Sequence, residues 1–178
     1  MPGSPTESRP DPAGSADPPS GQVAVARADY LWFVDRALTE MQDIVLVLGD
    51  DLANRRPALE GANSAFAILT HCLGVMEYWG GATVAGRTIE RDRAAEFTAS
   101  GGVDTLVQRT EAARRRLRED VGSLDPGAAP SHVRRDPHDP VPYTESQGAV
   151  LLHLLEELYQ HLGQMELTRD VLLARPAD

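Results

Sequence analysis

His153-Leu154-Leu155-Glu156-Glu157-Leu158-Tyr159-Gln160-His161-Leu162-Gly163-Gln164 is the stretch on which the fold turns. Val150, Leu151, Leu154, Leu155 and Leu158 recur at the steps of a helix with one buried face. The pattern predicts a helix from near Ser146 to near Leu173, ahead of Pro176. Within it Glu157 and His161 stand four residues apart, so a carboxylate and an imidazole share one helix face about a turn apart. The apolar residues around Glu157 put its carboxylate inside the core or at its edge, where a charge is costly unless it is paired or bound to a cation. His153 lies one turn earlier on the same face.

Three further helices are expected to complete a core. Leu31, Val34, Leu38, Met41, Val45, Leu48 and Leu52 form an apolar stripe that predicts a first helix from about Val23 to Asn54. A second helix is expected from Asn63 or Ser64, either of which can cap it, through Ile68, Leu69, Cys72, Leu73, Met76 and Trp79 to about Ala85. Residues 86–101 read as polar and irregular, with Arg87, Arg91, Arg93 and Phe97. A third helix is expected from Gly102 to Val121, burying Val103, Leu106, Val107, Thr110, Ala113 and Leu117. Arg114, Arg115 and Arg116 with Glu111 and Glu119 read as its solvated face. No strand pattern and no internal repeat is visible. The expected fold is therefore all-α, a four-helix bundle over residues 23–175. Residues 1–22, rich in Pro, Gly, Ser and Ala, read as a disordered tail. Residues 122–147, with five prolines between Pro126 and Pro142, read as a long connection that either folds over a site or stays solvated.

Composition narrows the chemistry. The formal net charge of −10 gives no broad attraction for phosphate backbones or anionic lipid, so neither nucleic acid nor membrane is an expected partner. All 17 basic residues are arginine, which excludes a Schiff-base lysine, a lysine general base and a P-loop. Cys72 is the only cysteine, so no intrachain disulfide forms, and a reducing cytoplasm is the expected setting. The sequence has no signal core and no apolar run of membrane-spanning length.

His71, in the middle of the second predicted helix, is the natural third member of a set with Glu157 and His161. Two His and one Glu are a ligand set of catalytic zinc sites, which keep one coordination position open. Each member has a plainer reading: a lone His on an apolar face is usually a core histidine, and a Glu/His pair four apart is usually a surface pair. His153 is expected to be a donor behind the ligands or a pocket wall, rather than a fourth ligand. Cys72, turned about 100° from His71 around the helix, is not expected to bind the cation. Arg169 is expected to pair with Asp170 or Glu166 on the helix surface.

Leu69-Thr70-His71-Cys72-Leu73-Gly74-Val75-Met76-Glu77-Tyr78-Trp79, taken with the stretch from His153 to Gln164 and its continuation to Asp170, resembles the DinB/YfiT-like superfamily. The likeness is greatest to the branch that contains mycothiol-dependent maleylpyruvate isomerase and the mycothiol or bacillithiol S-transferases. The resemblance implies a four-helix bundle with a divalent metal held by His71, Glu157 and His161. It also implies mycothiol as a co-substrate. The isomerases of that branch carry a further C-terminal domain that contributes to the active site, whereas this sequence ends at Asp178, so the metal-site module is what is expected to carry over.

The functional expectation is a metal-dependent thiol S-transferase or isomerase-like enzyme acting on a small electrophile or an unsaturated acid. Zinc suits the ligands, and nickel, iron or manganese can bind the same set. His153 and His138 are the expected proton-transfer residues, with Arg134, Arg135 and Tyr143 of the 122–147 connection as further groups that would face substrate. The alternatives are a non-catalytic bundle stapled by its cation, or a Lewis-acid enzyme that uses no thiol. A homodimer is the expected assembly if an apolar bundle face is exposed.

Overall fold

The computed structural model describes residues 24–122, 124–132 and 145–174. They form α1 (Arg27–Ala53), α2 (Ala65–Val75), a π-helical segment (Met76–Val84), α3 (Arg93–Glu96), α4 (Val103–Asp120) and α5 (Gln147–Leu173), with no strand among them. The expected tail at 1–22 lies outside the described residues.

The apolar stripes read from the sequence are the surfaces that pack. Val34, Leu38, Met41, Val45 and Leu48 of α1 are buried against Ile68, Leu69, Leu106, Leu117, Leu154, Leu158 and Met165. The helix directions follow from cross-contacts. Tyr159 Oη donates to Phe33 O at 3.1 Å, and further along Ile44 and Val47 lie beside Glu166 and Arg169, so α5 runs parallel to α1. Asp50 meets Val103, and Asp35 meets Arg118, so α4 runs antiparallel to α1. His71 meets His161, and Trp79 meets His153, so α2 runs antiparallel to α5. The bundle is thus up-down-down-up, and α2 and α4 are parallel neighbours. A parallel pair needs a crossover that returns along the bundle, and residues 85–102 supply it.

Four details depart from the sequence reading. First, α1 begins at Arg27 rather than near Val23, with Ala24, Val25 and Ala26 exposed and non-helical. Second, the helix after Ser64, whose hydroxyl accepts from Ala67 N at 3.2 Å, does not stay α-helical to Ala85; it widens into the π segment at Met76. The segment is closely packed at its glycines: a Cβ on Gly80 would collide with Leu117 Cδ1 and one on Gly81 with the Arg87 guanidinium. Third, the 86–101 segment holds α3, a single turn whose first amides are capped by Asp92, Oδ1 accepting from Ala95 N at 3.0 Å. Fourth, Arg114 is not on a solvated face. Its side chain is largely buried, donates to Gln42 Oε1 at 3.0 Å and lies 3.6 Å from Asp35 Oδ1, tying α4 to α1. Arg169 does pair with Asp170, at 2.8 Å.

Gly49 breaks the helical path of α1 at φ 64°, ψ 177°, a region open essentially to glycine. The break aims the last turn at the start of α4. There Asp50 Oδ1 accepts from Val103 N at 2.7 Å, replacing the side-chain cap that Gly102 cannot give. A Cβ at 49 would touch nothing within 4 Å, so Gly49→Ala isolates the backbone cost. It should lower unfolding free energy by about 1–3 kcal/mol in a urea titration. An unchanged midpoint would show that α1 tolerates the regular path.

Candidate metal centre

The antiparallel meeting of α2 and α5 brings the three sequence-selected residues together. Their ligand atoms lie within 4.8 Å of one another. Glu157 Oε2 is 3.4 Å from His161 Nε2 and 3.8 Å from His71 Nε2. His71 is almost sealed, its side chain 2% exposed, whereas His161 and Glu157 retain 19% and 27%. The site is therefore anchored in the core on α2 and reachable from the α5 side.

The far nitrogen of each imidazole is engaged. His71 Nδ1 is 2.7 Å from Glu96 Oε2, and His161 Nδ1 is 3.0 Å from Gln164 Oε1. Both oxygens can accept from an Nδ1–H, the arrangement that leaves each Nε2 lone pair free. The Nε2 atoms then face the Glu157 carboxylate. In the neutral tautomers, three acceptors converge with no donor among them, which is a place for a cation, either a proton or a metal. The Glu157 carboxylate beside it raises the His161 pKa against the opposing effect of burial. The His161 and His71 imidazoles in turn hold Glu157 far below the usual carboxylate range.

The donor set also fits a divalent cation. Two ligands at about 2.0–2.2 Å from a tetrahedral ion are about 3.4 Å apart, close to the 3.4 and 3.8 Å separations that Glu157 makes. Nitrogen, nitrogen and carboxylate oxygen suit zinc and its first-row neighbours.

His153 is beside the cluster and not a member of it. Its Nε2 lies 3.6 Å from Glu157 Oε1, the carboxylate oxygen turned away from the other two imidazoles, and its ring meets Trp79 edge-on at 5.1 Å. His138, Arg134, Arg135 and Tyr143 lie outside the described residues. His132, at the end of the described part of that connection, is exposed. The described part is tied to the bundle end, Ser131 N donating to Thr83 O and Gly148 N to Pro126 O. Glu157 lies ten residues into α5, about 15 Å along its axis from that end. Cys72 is fully buried, and burial pushes its thiol up well beyond the usual range.

Sequence reasoning missed two residues here, Glu96 and Arg91. Arg91 Nε and Nη2 grip the Glu96 carboxylate at 2.7 and 2.9 Å while Glu96 holds His71. Phe97 stacks on the His71 ring at 4.4 Å, and Arg93 lies 5.2 Å over Phe97. The segment is polar and has no period, so nothing in the sequence separates it from a solvated loop.

The sequence profile of the DinB superfamily matches residues 34–165. The matched span contains His71, Glu157 and His161. No curated protein matches the chain.

Proposed function

The chain belongs to the DinB superfamily, and from that membership we propose that it is a metal-dependent enzyme, a thiol S-transferase or isomerase-like protein that uses mycothiol. The observation that carries the proposal is the convergence of His71 Nε2, Glu157 Oε2 and His161 Nε2 on one point, with each imidazole held from behind. These three residues would hold the divalent cation, zinc being the best match to the donors. A cation there supplies positive charge that lowers the pKa of a thiol or water brought to it. In this reading the nucleophile is the external thiol, or water held at the cation, since the one cysteine, Cys72, is buried and there is no lysine.

His153 would take the thiol proton. Its Nε2 faces Glu157 Oε1 at 3.6 Å, so the carboxylate stabilises the imidazolium that results. In S-transfer, the thiol sulfur forms a bond to the electrophilic carbon and the leaving group departs with its electron pair. In isomerisation, the same sulfur adds to an enoyl carbon, the former double bond rotates, and elimination returns the thiol and its proton. His138, from the 122–147 connection, is the second proton-transfer residue in this reading. An acid substrate would meet Arg93 at Phe97, close enough to His161 for its charge to disfavour the His161 proton.

The test incubates zinc-loaded protein with mycothiol and monobromobimane, and separately with an enoyl diacid. Thiol-dependent conjugation or isomerisation is expected, and chelation or His161→Ala should each eliminate it. Metal-dependent conversion that needs no thiol would replace this reading with a Lewis-acid enzyme. No turnover, with a large fall in melting temperature on metal removal, would replace it with a structural staple.

A further inference from the structure

The crossover between α2 and α4 has to travel back along the bundle, and in doing so it passes His71. Three features of it are built around that imidazole. Asp92 caps the single turn of α3, which turns Glu96 inward, where its side chain is 10% exposed and its Oε2 lies 2.7 Å from His71 Nδ1. Arg91 holds both oxygens of the same carboxylate, at 2.7 and 2.9 Å, and its guanidinium in turn lies 5.6 Å over the Tyr78 ring. Phe97 lies flat against the His71 ring, and its carbonyl is anchored by Arg56 Nη2 at 2.9 Å. The opposing wall is cut to fit: any Cβ at position 74 would overlap the Glu96 carboxylate.

We propose that Glu96, clamped by Arg91 and given room by Gly74, is a positioning residue that sets the tautomer and orientation of His71 for the cation. The proposal rests on the metal-centre reading and adds to it a part of the chain that the ligand set does not include. A carboxylate that accepts from Nδ1–H keeps the proton off Nε2 and leaves that lone pair directed at the site. Its negative charge also makes the imidazole a stronger donor. Arg91 fixes both oxygens of the carboxylate through two hydrogen bonds, at 2.7 and 2.9 Å. Among the described residues, the group hydrogen-bonded to His161 Nδ1 is the uncharged Gln164. The two imidazoles are therefore unequal: His71 is the rigid, charge-supported ligand and His161 the softer one.

The experiment compares wild type, Glu96→Gln, Glu96→Ala and Arg91→Met as purified full-length proteins. Affinity for Zn²⁺ and Co²⁺ is read by competition with a chelator, and the His71 tautomer in metal-free protein by imidazole ¹⁵N shifts. Glu96→Gln keeps shape and an acceptor but loses the charge, and should weaken both metals about 10–100-fold. Glu96→Ala should weaken them at least as much and turn the single Nδ1–H signature into a tautomer mixture. Arg91→Met should act in the same direction with a smaller change. Lower melting temperatures with unaltered affinity and an unaltered tautomer would overturn the proposal, leaving Glu96 as an anchor of the crossover only. Wild type that binds neither metal sinks the metal-centre reading itself, and is seen without any variant.

Discussion

His71→Ala and His161→Ala should each abolish stoichiometric binding of a divalent cation. The donors number three, two imidazoles and one carboxylate, and removing either imidazole leaves a pair. Changes to groups that merely support ligands cost about 10–100-fold in affinity, so loss of a ligand should exceed about 100-fold in a zinc titration. Glu157→Gln should be milder, because the amide keeps an oxygen donor while losing the anion. The pH dependence has a fixed sign. The Glu157 carboxylate raises the His161 pKa, so His161 takes up a proton earlier as pH falls than a free imidazole would. The proton and the cation compete for Nε2, hence affinity should be full at high pH and should fall as pH drops through the raised value. Affinity that is flat through this range, or that survives His161→Ala, would exclude His161 from the site.

Leu117→Ala should lower unfolding free energy by about 2–5 kcal/mol, the range for deleting a fully buried leucine, since Leu117 is 2% exposed in the main core. Its partner gives the sharper test. Leu117 Cδ1 occupies the space a Cβ on Gly80 would need, with Leu154 Cδ1 3.6 Å from the same point. Gly80→Ala alone should therefore cost about 1–3 kcal/mol through overpacking. In the Leu117→Ala background the added methyl enters the vacated space, so the double variant should be more stable than the sum of the single effects by about 1 kcal/mol or more. Strict additivity in denaturant melts would mean that Leu117 does not crowd position 80.

The contrast between α1 and the crossover explains how much of this was visible beforehand. The stripe from Val34 to Leu48 repeats a period, and the period alone specifies which face is buried. The same holds for α4 and α5. Ser64 and Ser146 cap their helices as residues of their type do when a periodic segment follows. Gly49 was not legible, because a glycine inside an apolar stripe says nothing about φ. The π segment was not legible either, and Leu117, which packs on its Gly80, is distant in sequence. Arg114 read as solvated from its neighbours Arg115 and Arg116, yet its surroundings are set by Asp35 and Gln42 on another helix.

The site divides in the same way. His71, Glu157 and His161 could be singled out from residue type, from the four-residue spacing of the last two, and from the family resemblance of the stretches around them. Glu96 could not be chosen, because it stands in a segment without period, and only the return of the crossover beside α2 brings it to His71. Sequence determines what repeats along one helix, where the energetics are local and add over many turns. Tertiary structure alone decides which residues meet across the bundle, because those contacts depend on helix direction and on the path of a crossover, and neither leaves a periodic trace in the chain.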